Sequence, residues 1–407
     1  MNKKYDGGVY WLLDSRFDFL LPSFMQEFGI EKQDIVLVNS YHSKSRYGWN
    51  KLYLFPQSKQ SVNLIEPDDI NRAFSKSLNL SCKNLVISFS GAGLPHNEKL
   101  VSLTATGEIA ELCNDKWWQY NFFNKIKVVT PHTYRYRQFN EVKKDFPALL
   151  EKHKKVVIKR PCLSGGYMTR VLASDLDFQR YQHYIKQNSI CQPFLVSEYI
   201  PHQQSFAGMG VVQKGGEVFG LNAITEQVLW QEVAYEGLIF PAFLNVDTKK
   251  KIRSETIKIG KELGRRGYYG FYNVDFLLGK GQPYAVEINA RLTFSTILAA
   301  CLYGENFWKL LQGYCTKQMV HPVKRLVIGK IKSREGKVYS DLKSYSNIEA
   351  WYKSKKGYFE TLFCGTGGAE LFEYGSYIGI FGEFFNMAEE REQVLHSFWK
   401  KCIKFYK

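Results

Sequence analysis

The 407-residue sequence lacks the features that mark several well-known classes of protein. Its eight cysteines are scattered and contain no CxxC pair, which argues against a zinc site or a catalytic thiol and for reduced side chains. No apolar run approaches the ~18–20 residues of a membrane-spanning helix. The N-terminal apolar stretch is broken at Asp14 and has no signal-peptide core. We therefore expect a soluble, cytoplasmic protein.

The sequence also has no repeats, no low-complexity tracts and no RNA-binding signature. The net charge is +16, but the lysines are spread along the whole chain. A net positive charge of this size is compatible with an anionic partner. The even distribution of the lysines instead favours basic surfaces that are simply exposed to solvent. Neither a membrane nor a nucleic acid is expected as a partner.

The first 112 residues predict an α/β domain with a parallel sheet, because strand and helix patterns alternate. The patterns lie at Gly8–Leu13, Pro22–Gly29, Asp34–Asn39, Pro67–Leu78 and Asn84–Phe89. The loop Ser90–Gly93 lacks the full GxGxxG spacing and is predicted to be a turn.

Residues 321–407 predict a smaller α+β module. Strand patterns lie at Leu326–Lys330 and Tyr377–Phe381, and Asn386–Phe405 has the apolar stripe of an amphipathic helix. Between the two flanking modules lies the region with the most informative motifs.

The stretch Gly270–Arg291 predicts a β-hairpin that carries carboxylates. Its arms are Phe271–Leu278 and Tyr284–Ile288, joined by a five-residue turn that contains glycine and proline. Pairing of the arms can bring Asp275 close to the face shared by Glu287 and Asn289. Two carboxylates and an amide oxygen suit Mg²⁺. A surface hairpin with solvated acids is the alternative.

A second motif, Lys155–Arg170, predicts a strand, a small-residue loop and another strand. Lys159 ends the first strand, and the Ser164–Gly166 loop offers successive backbone N–H groups that can cradle phosphate. No GK[ST] follows, so this is not a Walker loop. A plain hairpin turn with an exposed lysine remains the alternative.

The order of the motifs resembles that of the ATP-grasp superfamily of carboxylate–amine and carboxylate–thiol ligases. The motifs are Asn114–Lys116, Lys159 with Ser164–Gly166, Ser197–Ile200, Asp275, and Glu287–Arg291. The resemblance implies an ATP-grasp domain at 113–320 with a mobile lid at about 150–197, flanked by the modules at 1–112 and 321–407. It also implies ATP and Mg²⁺ (or Mn²⁺) as cofactors.

The resemblance implies a role for each matching residue. Lys116, Lys159 and the loop of Ser164, Gly165 and Gly166 would contact the phosphates. Glu198 and Ile200 would lie at the adenine edge, and Gln204 would replace the glutamate that commonly contacts the ribose. Asp275, Glu287 and Asn289 would hold the metal, and Arg291 with Lys159 would stabilise the transferring phosphoryl group.

The function implied is an ATP-dependent ligase that activates a carboxylate as an acyl phosphate and joins it to an amine. Residues 224–241 are similar to a stretch of standalone amino-acid and peptide ligases. There Glu226 or Gln227 would orient an amine or amino acid, and Arg137 would bind a carboxylate. An ordinary loop and exposed arginines are the alternatives.

Two other functions are compatible with the same motifs. A carboxyphosphate-type carboxylase is one, although the sequence has no MKM-like biotin-attachment motif. A non-catalytic nucleotide-binding protein is the other. The basic charge also leaves room for a carrier-protein or peptide acceptor, and family practice favours a homodimer.

Overall fold

The computed structural model describes most of the chain up to residue 311 and a few strands beyond it. The described residues are 6–13, 21–31, 35–37, 71–72, 74–76, 78–162, 168–187, 193–201, 205–230, 234–239, 242, 244–293, 295–296, 299, 303, 306–311, 326–332, 369–374 and 377–383. None of the helices in this part of the chain is long and apolar enough to cross a membrane.

A parallel sheet of four described strands lies at the N-terminus, in the order β2-β1-β3-β4. The strands are β1 (Val9–Trp11), β2 (Ile35–Leu37), β3 (Asn84–Ile87) and β4 (Leu100–Ser102). All four residues of β3 are buried, as expected for a continuous apolar run in a parallel sheet. The predicted α/β class of this region is confirmed.

A small antiparallel sheet follows, in the order β5-β8-β6-β7. Its strands are β5 (Thr133–Tyr136), β6 (Val156–Lys159), β7 (Arg170–Leu172) and β8 (Phe194–Glu198). Two helices from the same region share a hydrophobic cluster with this sheet, in which Phe146 and Phe178 stack at 4.3 Å. The side chain of Lys159 therefore leaves a strand that is anchored in a core.

A large antiparallel sheet of nine described strands carries the predicted hairpin at one edge. The strands are β9 (Ser205–Val212), β10 (Val218–Gly220), β11 (Thr225–Trp230), β12 (Ala234–Ile239), β13 (Gly270–Gly279), β14 (Gln282–Asn289), β15 (Leu326–Lys332), β16 (Ala369–Tyr374) and β17 (Tyr377–Glu383). Because β12 pairs with β15, the strands of the C-terminal module continue the central sheet.

The helices pack around these sheets. They are α1 (Leu21–Phe28), α2 (Glu108–Asn114), α3 (Lys116–Lys125), α4 (Phe139–His153), α5 (Asp175–Gln187), α6 (Val246–Arg265) and α7 (Asn306–Leu311). Asp115 caps α3 by accepting a 2.8 Å hydrogen bond from the Trp117 N–H.

One hydrophobic core joins the N-terminal sheet to the central sheet. Trp11 of β1, Phe271 of β13 and Trp308 of α7 belong to the same buried cluster. The Phe24 ring of α1 lies 5.3 Å from that of Trp308. The carboxyl edge of the parallel sheet is thereby fixed beside the hairpin.

The fold agrees with the predicted class, which is an α/β domain with a parallel sheet at the N-terminus followed by α+β structure. The two later sheets are antiparallel. The predicted helix at Asn386–Phe405 lies outside the described residues, as does half of the one at Pro67–Leu78, in which the described residues 71, 72, 74 and 75 are helical. The predicted domain boundaries at 112 and 320 stay predictions. The hairpin turn differs from the expectation, because β13 and β14 run on to Gly279 and Gln282 and leave a two-residue turn.

Candidate functional site

The hairpin β13–β14 places three predicted metal ligands together. Asp275 pairs directly with Glu287 across the two strands. The Asn289 Nδ2 donates a 3.0 Å hydrogen bond to Asp275 Oδ2. Two carboxylates and an amide therefore share one face of the sheet, and the alternation along β14 predicted this shared face for Glu287 and Asn289.

A β-bulge produces this shared face. The turn residues Lys280 and Gly281 both have positive φ, of 50° and 72°, as in a tight two-residue hairpin. Continued regularly from that turn, the register would pair Asp275 with Val286 and leave Glu287 on the other face. The register shift between Asp275 and Phe276 corrects this by one residue.

Cations surround the Glu287 carboxylate. The Lys116 Nζ, at the first residue of α3, lies 3.1 Å from Glu287 Oε1, and Arg291 Nη2 lies 3.8 Å from the same oxygen. Burial opposes ionisation of Glu287, but the charges of Lys116 and Arg291 outweigh it and keep the pKa of this carboxyl below its usual value. Glu287 is therefore ionised at neutral pH.

Asp275 is in the opposite electrostatic situation. Burial and the neighbouring Glu287 charge raise the pKa of Asp275 to about 7, although amide hydrogen bonds oppose the rise. Two half-buried carboxylates side by side repel each other, and a divalent cation would relieve that repulsion. The oxygen-only donor set of Asp275, Glu287 and Asn289 fits Mg²⁺. Within the described residues, no cluster of three or more His, Cys, Asp or Glu side chains suggests another metal centre.

Lys159 is the last residue of β6 and interacts with the charges of Lys116 and Glu287. Burial and the Lys116 charge lower the pKa of the Lys159 amine to about 8, and the Glu287 charge partly opposes this. The backbone N–H of Lys116 donates to Pro161 O at 2.9 Å, which joins α3 to the segment after Lys159. Both predicted phosphate-contacting lysines thus lie beside the carboxylates.

The position of α3 depends on one buried amide. Gln119 donates to Cys113 O at 2.7 Å and to Ile288 O at 2.9 Å. Its Oε1 accepts the Ile288 N–H at 2.9 Å. Gln119 therefore binds both backbone groups of Ile288, and this docks the helix that carries Lys116 onto the strand that carries Glu287.

Arg291 connects the site to the N-terminal sheet. Its Nη1 donates to Asn114 Oδ1 at 3.3 Å, and its guanidinium lies 5.7 Å from the Phe89 ring centroid. The Asn114 Nδ2 donates in turn to Ser90 Oγ at 3.3 Å. The Ser90–Gly93 loop, predicted to be only a turn, therefore borders the site.

Other predicted residues have different surroundings. The Glu198 N–H donates to His132 O at 2.9 Å, and Glu198 Oε1 accepts the His132 N–H at 2.8 Å, at the end of the small sheet. Ile200 is buried nearby. Arg137 is exposed just after β5, and its backbone N–H donates to Glu141. Ser164, Gly165, Gly166 and Gln204 lie outside the described residues.

The two predicted substrate residues of β11 point to opposite faces, because side chains alternate along a strand. The Gln227 Nε2 donates a 2.9 Å hydrogen bond to Asp275 Oδ1, so Gln227 belongs to the carboxylate cluster. Glu226 is half-buried on the other face. The sequence motifs included Asn114 without a role in the site and did not include Asn273 or Gln119, although Asn273 shares the alternation of Asp275.

A family comparison agrees with this geometry. Residues 113–295 match the model of the ATP-grasp domain. The chain contains an ATP-grasp domain. All the residues of the carboxylate and lysine cluster described above lie within the matched range, and the resemblance inferred from the order of the motifs is confirmed.

Curated relatives of the chain match over limited lengths. A [butirosin acyl-carrier protein]–L-glutamate ligase of Niallia circulans is 29% identical over 147 residues, which are 35% of this chain and 34% of the relative. The carbamoyl phosphate synthase large chain of Sulfolobus acidocaldarius is 26% identical over 234 residues, 55% of this chain and 21% of the relative. The chain thus spans about a third or less of these relatives.

Solved structures match over the full length. The N5-carboxyaminoimidazole synthetase of Staphylococcus aureus, complexed with ADP, covers 99% of this chain and 100% of its own, with a TM-score of 0.64. Its sequence identity of 12% means that this likeness shows the fold alone. The fold of this chain is therefore similar to that of the synthetase over its full length.

Proposed function

We propose that the protein is an ATP- and Mg²⁺-dependent ligase that joins a carboxylate to an amine. The observation that carries the proposal is the cluster around Glu287. There, two carboxylates and Asn289 share a face, and Lys116 and Arg291 both lie within 4 Å of the Glu287 oxygen. Phosphoryl transfer requires positioning and neutralisation of charge more than covalent help, and this cluster supplies both.

The proposed reaction has two steps. A substrate carboxylate oxygen attacks the γ-phosphorus of ATP, the bond to the bridging oxygen breaks, and ADP leaves. The amine nitrogen then attacks the carbonyl carbon of the acyl phosphate, inorganic phosphate leaves, and the nitrogen loses a proton. Magnesium would neutralise phosphate charge when it is bound at Asp275, Glu287 and Asn289.

The chain's own residues have the following proposed roles. Lys116 and Lys159 bind the phosphates as point charges, and Arg291 stabilises the charge of the phosphoryl group and the acyl phosphate. The residues assigned to the nucleotide are Ser164, Gly165, Gly166, Glu198, Ile200 and Gln204. Exclusion of water from the acyl phosphate is assigned to the segment at about 150–197.

An amino-acid substrate and a carrier-bound partner are supported by one relative. The name of the Niallia circulans ligase specifies L-glutamate and an acyl-carrier protein. The net charge of +16 would favour encounter with an acidic carrier. We therefore propose an amino acid as one substrate and a small amine or a carrier-protein or peptide group as the other.

A carboxyphosphate-forming reaction is the second candidate. It is favoured by the match to a carbamoyl phosphate synthase and by the fold of the N5-carboxyaminoimidazole synthetase. In this case bicarbonate would be the phosphorylated carboxylate. Release of ADP that depends on bicarbonate, with no added amino acid, would favour this candidate over the first.

The test is an ADP-release screen over pairs of amino acids and carrier-bound amines, with mass spectrometry of the products. We expect ADP release that requires both substrates. Glu287→Ala and Lys159→Ala should abolish turnover and retain the fold. Glu108→Ala on α2 and Lys143→Ala on α4, both exposed, are the matched controls and should remain active.

Full activity of either site variant would overturn the assignment of the site. Tight ATP binding with no turnover over the whole panel would instead support a non-catalytic nucleotide-binding protein. The predicted homodimer is checked separately by light scattering.

A further inference from the structure

The Asp275 carboxylate is surrounded by amide donors. Its Oδ1 accepts hydrogen bonds from Gln227 Nε2 at 2.9 Å and from Asn273 Nδ2 at 3.0 Å. Its Oδ2 accepts one bond, from Asn289 Nδ2 at 3.0 Å. The two oxygens of this carboxylate are therefore not equivalent, since one has two amide partners and the other has one.

A hydroxyl group fixes the orientation of each Oδ1 partner. A carboxylate oxygen only accepts, so the nitrogen end of each amide must face Asp275. The oxygen end of Gln227 then accepts from Ser205 Oγ at 2.6 Å, and the oxygen end of Asn273 accepts from Thr293 Oγ1 at 3.0 Å. Each amide is thus held at both ends and cannot flip without losing two hydrogen bonds.

The strands β9, β11 and β13, which carry Ser205, Gln227 and Asn273, each have a paired strand on both sides in the large sheet. Ser205 and Gln227 are direct partners across β9 and β11, and Asn273 is two residues before Asp275 on β13. Ser205 is 3% exposed and Asn273 is 1% exposed. Buried polar groups in a sheet centre are costly unless all are satisfied, and here each one has its partner.

We propose that Gln227 and Asn273 are positioning residues that occupy Asp275 Oδ1 and leave Oδ2 as the oxygen available to a cation. Ser205 and Thr293 act through them by fixing the two amides. The inference rests on the metal site of the proposed function. It assigns Gln227 to the carboxylate rather than to a substrate, and it adds three residues to the site.

The test measures binding of Mn²⁺ by electron paramagnetic resonance, with and without a non-hydrolysable ATP analogue. Loss of a group that orients a metal ligand typically weakens metal binding by about 10–100-fold. Gln227→Met keeps the length of the side chain and removes its donor, so we expect a loss in that range. Gln282→Met, at the first residue of β14, is the matched control and should bind Mn²⁺ as the wild type does.

Two variants of Thr293 distinguish a positioning role of this residue from simple structural support. Thr293→Val keeps the shape and loses the hydroxyl, whereas Thr293→Ser keeps the hydroxyl and loses only a methyl group. We expect about tenfold weaker Mn²⁺ binding for Thr293→Val and binding within about twofold of the wild type for Thr293→Ser. Thermal unfolding of each variant shows whether the fold is retained.

The possible outcomes separate this inference from the proposed function. Wild-type Mn²⁺ affinity in folded Gln227→Met and Thr293→Val would overturn the inference and leave the metal site intact. Weaker binding in both variants, in a protein that forms no product, would support the inference while the ligase proposal fails. Absence of Mn²⁺ binding in the wild type would overturn both.

Discussion

The Lys116 ammonium lies 3.1 Å from the Glu287 carboxylate, and the two side chains are only 9% and 20% exposed. Replacing Lys116 by methionine leaves Glu287 with Arg291 at 3.8 Å as its nearest cation. Removing one partner of a buried pair costs about 3 kcal/mol or more. We expect Lys116→Met to lower the free energy of unfolding by about 3 kcal/mol, measured by urea denaturation at pH 7.

A double variant provides the control for this ion pair. Adding Glu287→Gln to Lys116→Met removes the carboxylate charge that has lost its closer cation, so part of the lost stability should return. Equal stability of the wild type and Lys116→Met would mean that the pair contributes nothing in the free protein.

Gln119 is expected to be the main polar link between α3 and β14. Gln119→Leu leaves the N–H and C=O of Ile288 without the partner that they have now. Each buried unsatisfied group costs about 1–3 kcal/mol, so we expect a loss of stability of about 2 kcal/mol or more by denaturation. Asn121→Ala, at an exposed amide of the same helix, should cost about 0.5 kcal/mol or less.

Titration of the Lys159 amine is expected to make nucleotide binding depend on pH. Its pKa is lowered to about 8, so the ammonium is present below that pH and is lost as the pH rises through it. Phosphates bind the charged form. We expect the affinity for a non-hydrolysable ATP analogue to fall by roughly tenfold between pH 7.5 and 9.5 in calorimetry.

Lys159→Arg is the comparison for this titration, because a guanidinium keeps its charge over the whole range. Its affinity should change little between the same two pH values. A parallel decline in the variant and the wild type would assign the pH dependence to another group.

Two cysteines should differ sharply in reactivity. Burial raises the pKa of the Cys113 thiol to about 12, whereas Cys162 is exposed just before the proposed lid loop. Because the thiolate is the reactive form, iodoacetamide at pH 8 should label Cys162 and spare Cys113 until the protein unfolds. Peptide mass spectrometry measures both sites.

The same labelling reports on the nucleotide. If the loop after Cys162 closes over ATP, an ATP analogue should slow the labelling of Cys162 and leave that of the partly exposed Cys82 unchanged. Equal slowing at both cysteines would indicate a general effect on the protein rather than closure of the loop.

Much of the fold follows from local patterns in the sequence. The buried run at Asn84–Phe89 and the apolar stripe of Thr248–Gly264 were sufficient to predict β3 and α6. The sequence patterns did not predict the helix α4 or the strand β16. A lysine-rich stretch hides the apolar periodicity of α4, and a glycine-rich neighbourhood hides that of β16.

By itself, the sequence determined the chemistry of the site: the hairpin with its acids, the two lysines, and the order of motifs typical of an ATP-grasp domain. Those features depend on residue type and on spacing within short segments. A period of two residues was enough to place Glu287 and Asn289 on one face.

Only the tertiary structure decided which groups meet. The bulge after Asp275 brings that carboxylate to the face of Glu287. The order of strands in the sheet brings Gln227, 48 residues away in the sequence, into contact with Asp275. Packing of α3 on β14 selects Lys116 as the partner of Glu287. Such contacts depend on the register of paired strands and on the docking of helices onto sheets. Segments that are distant in the sequence determine both, so no local sequence pattern predicts these contacts.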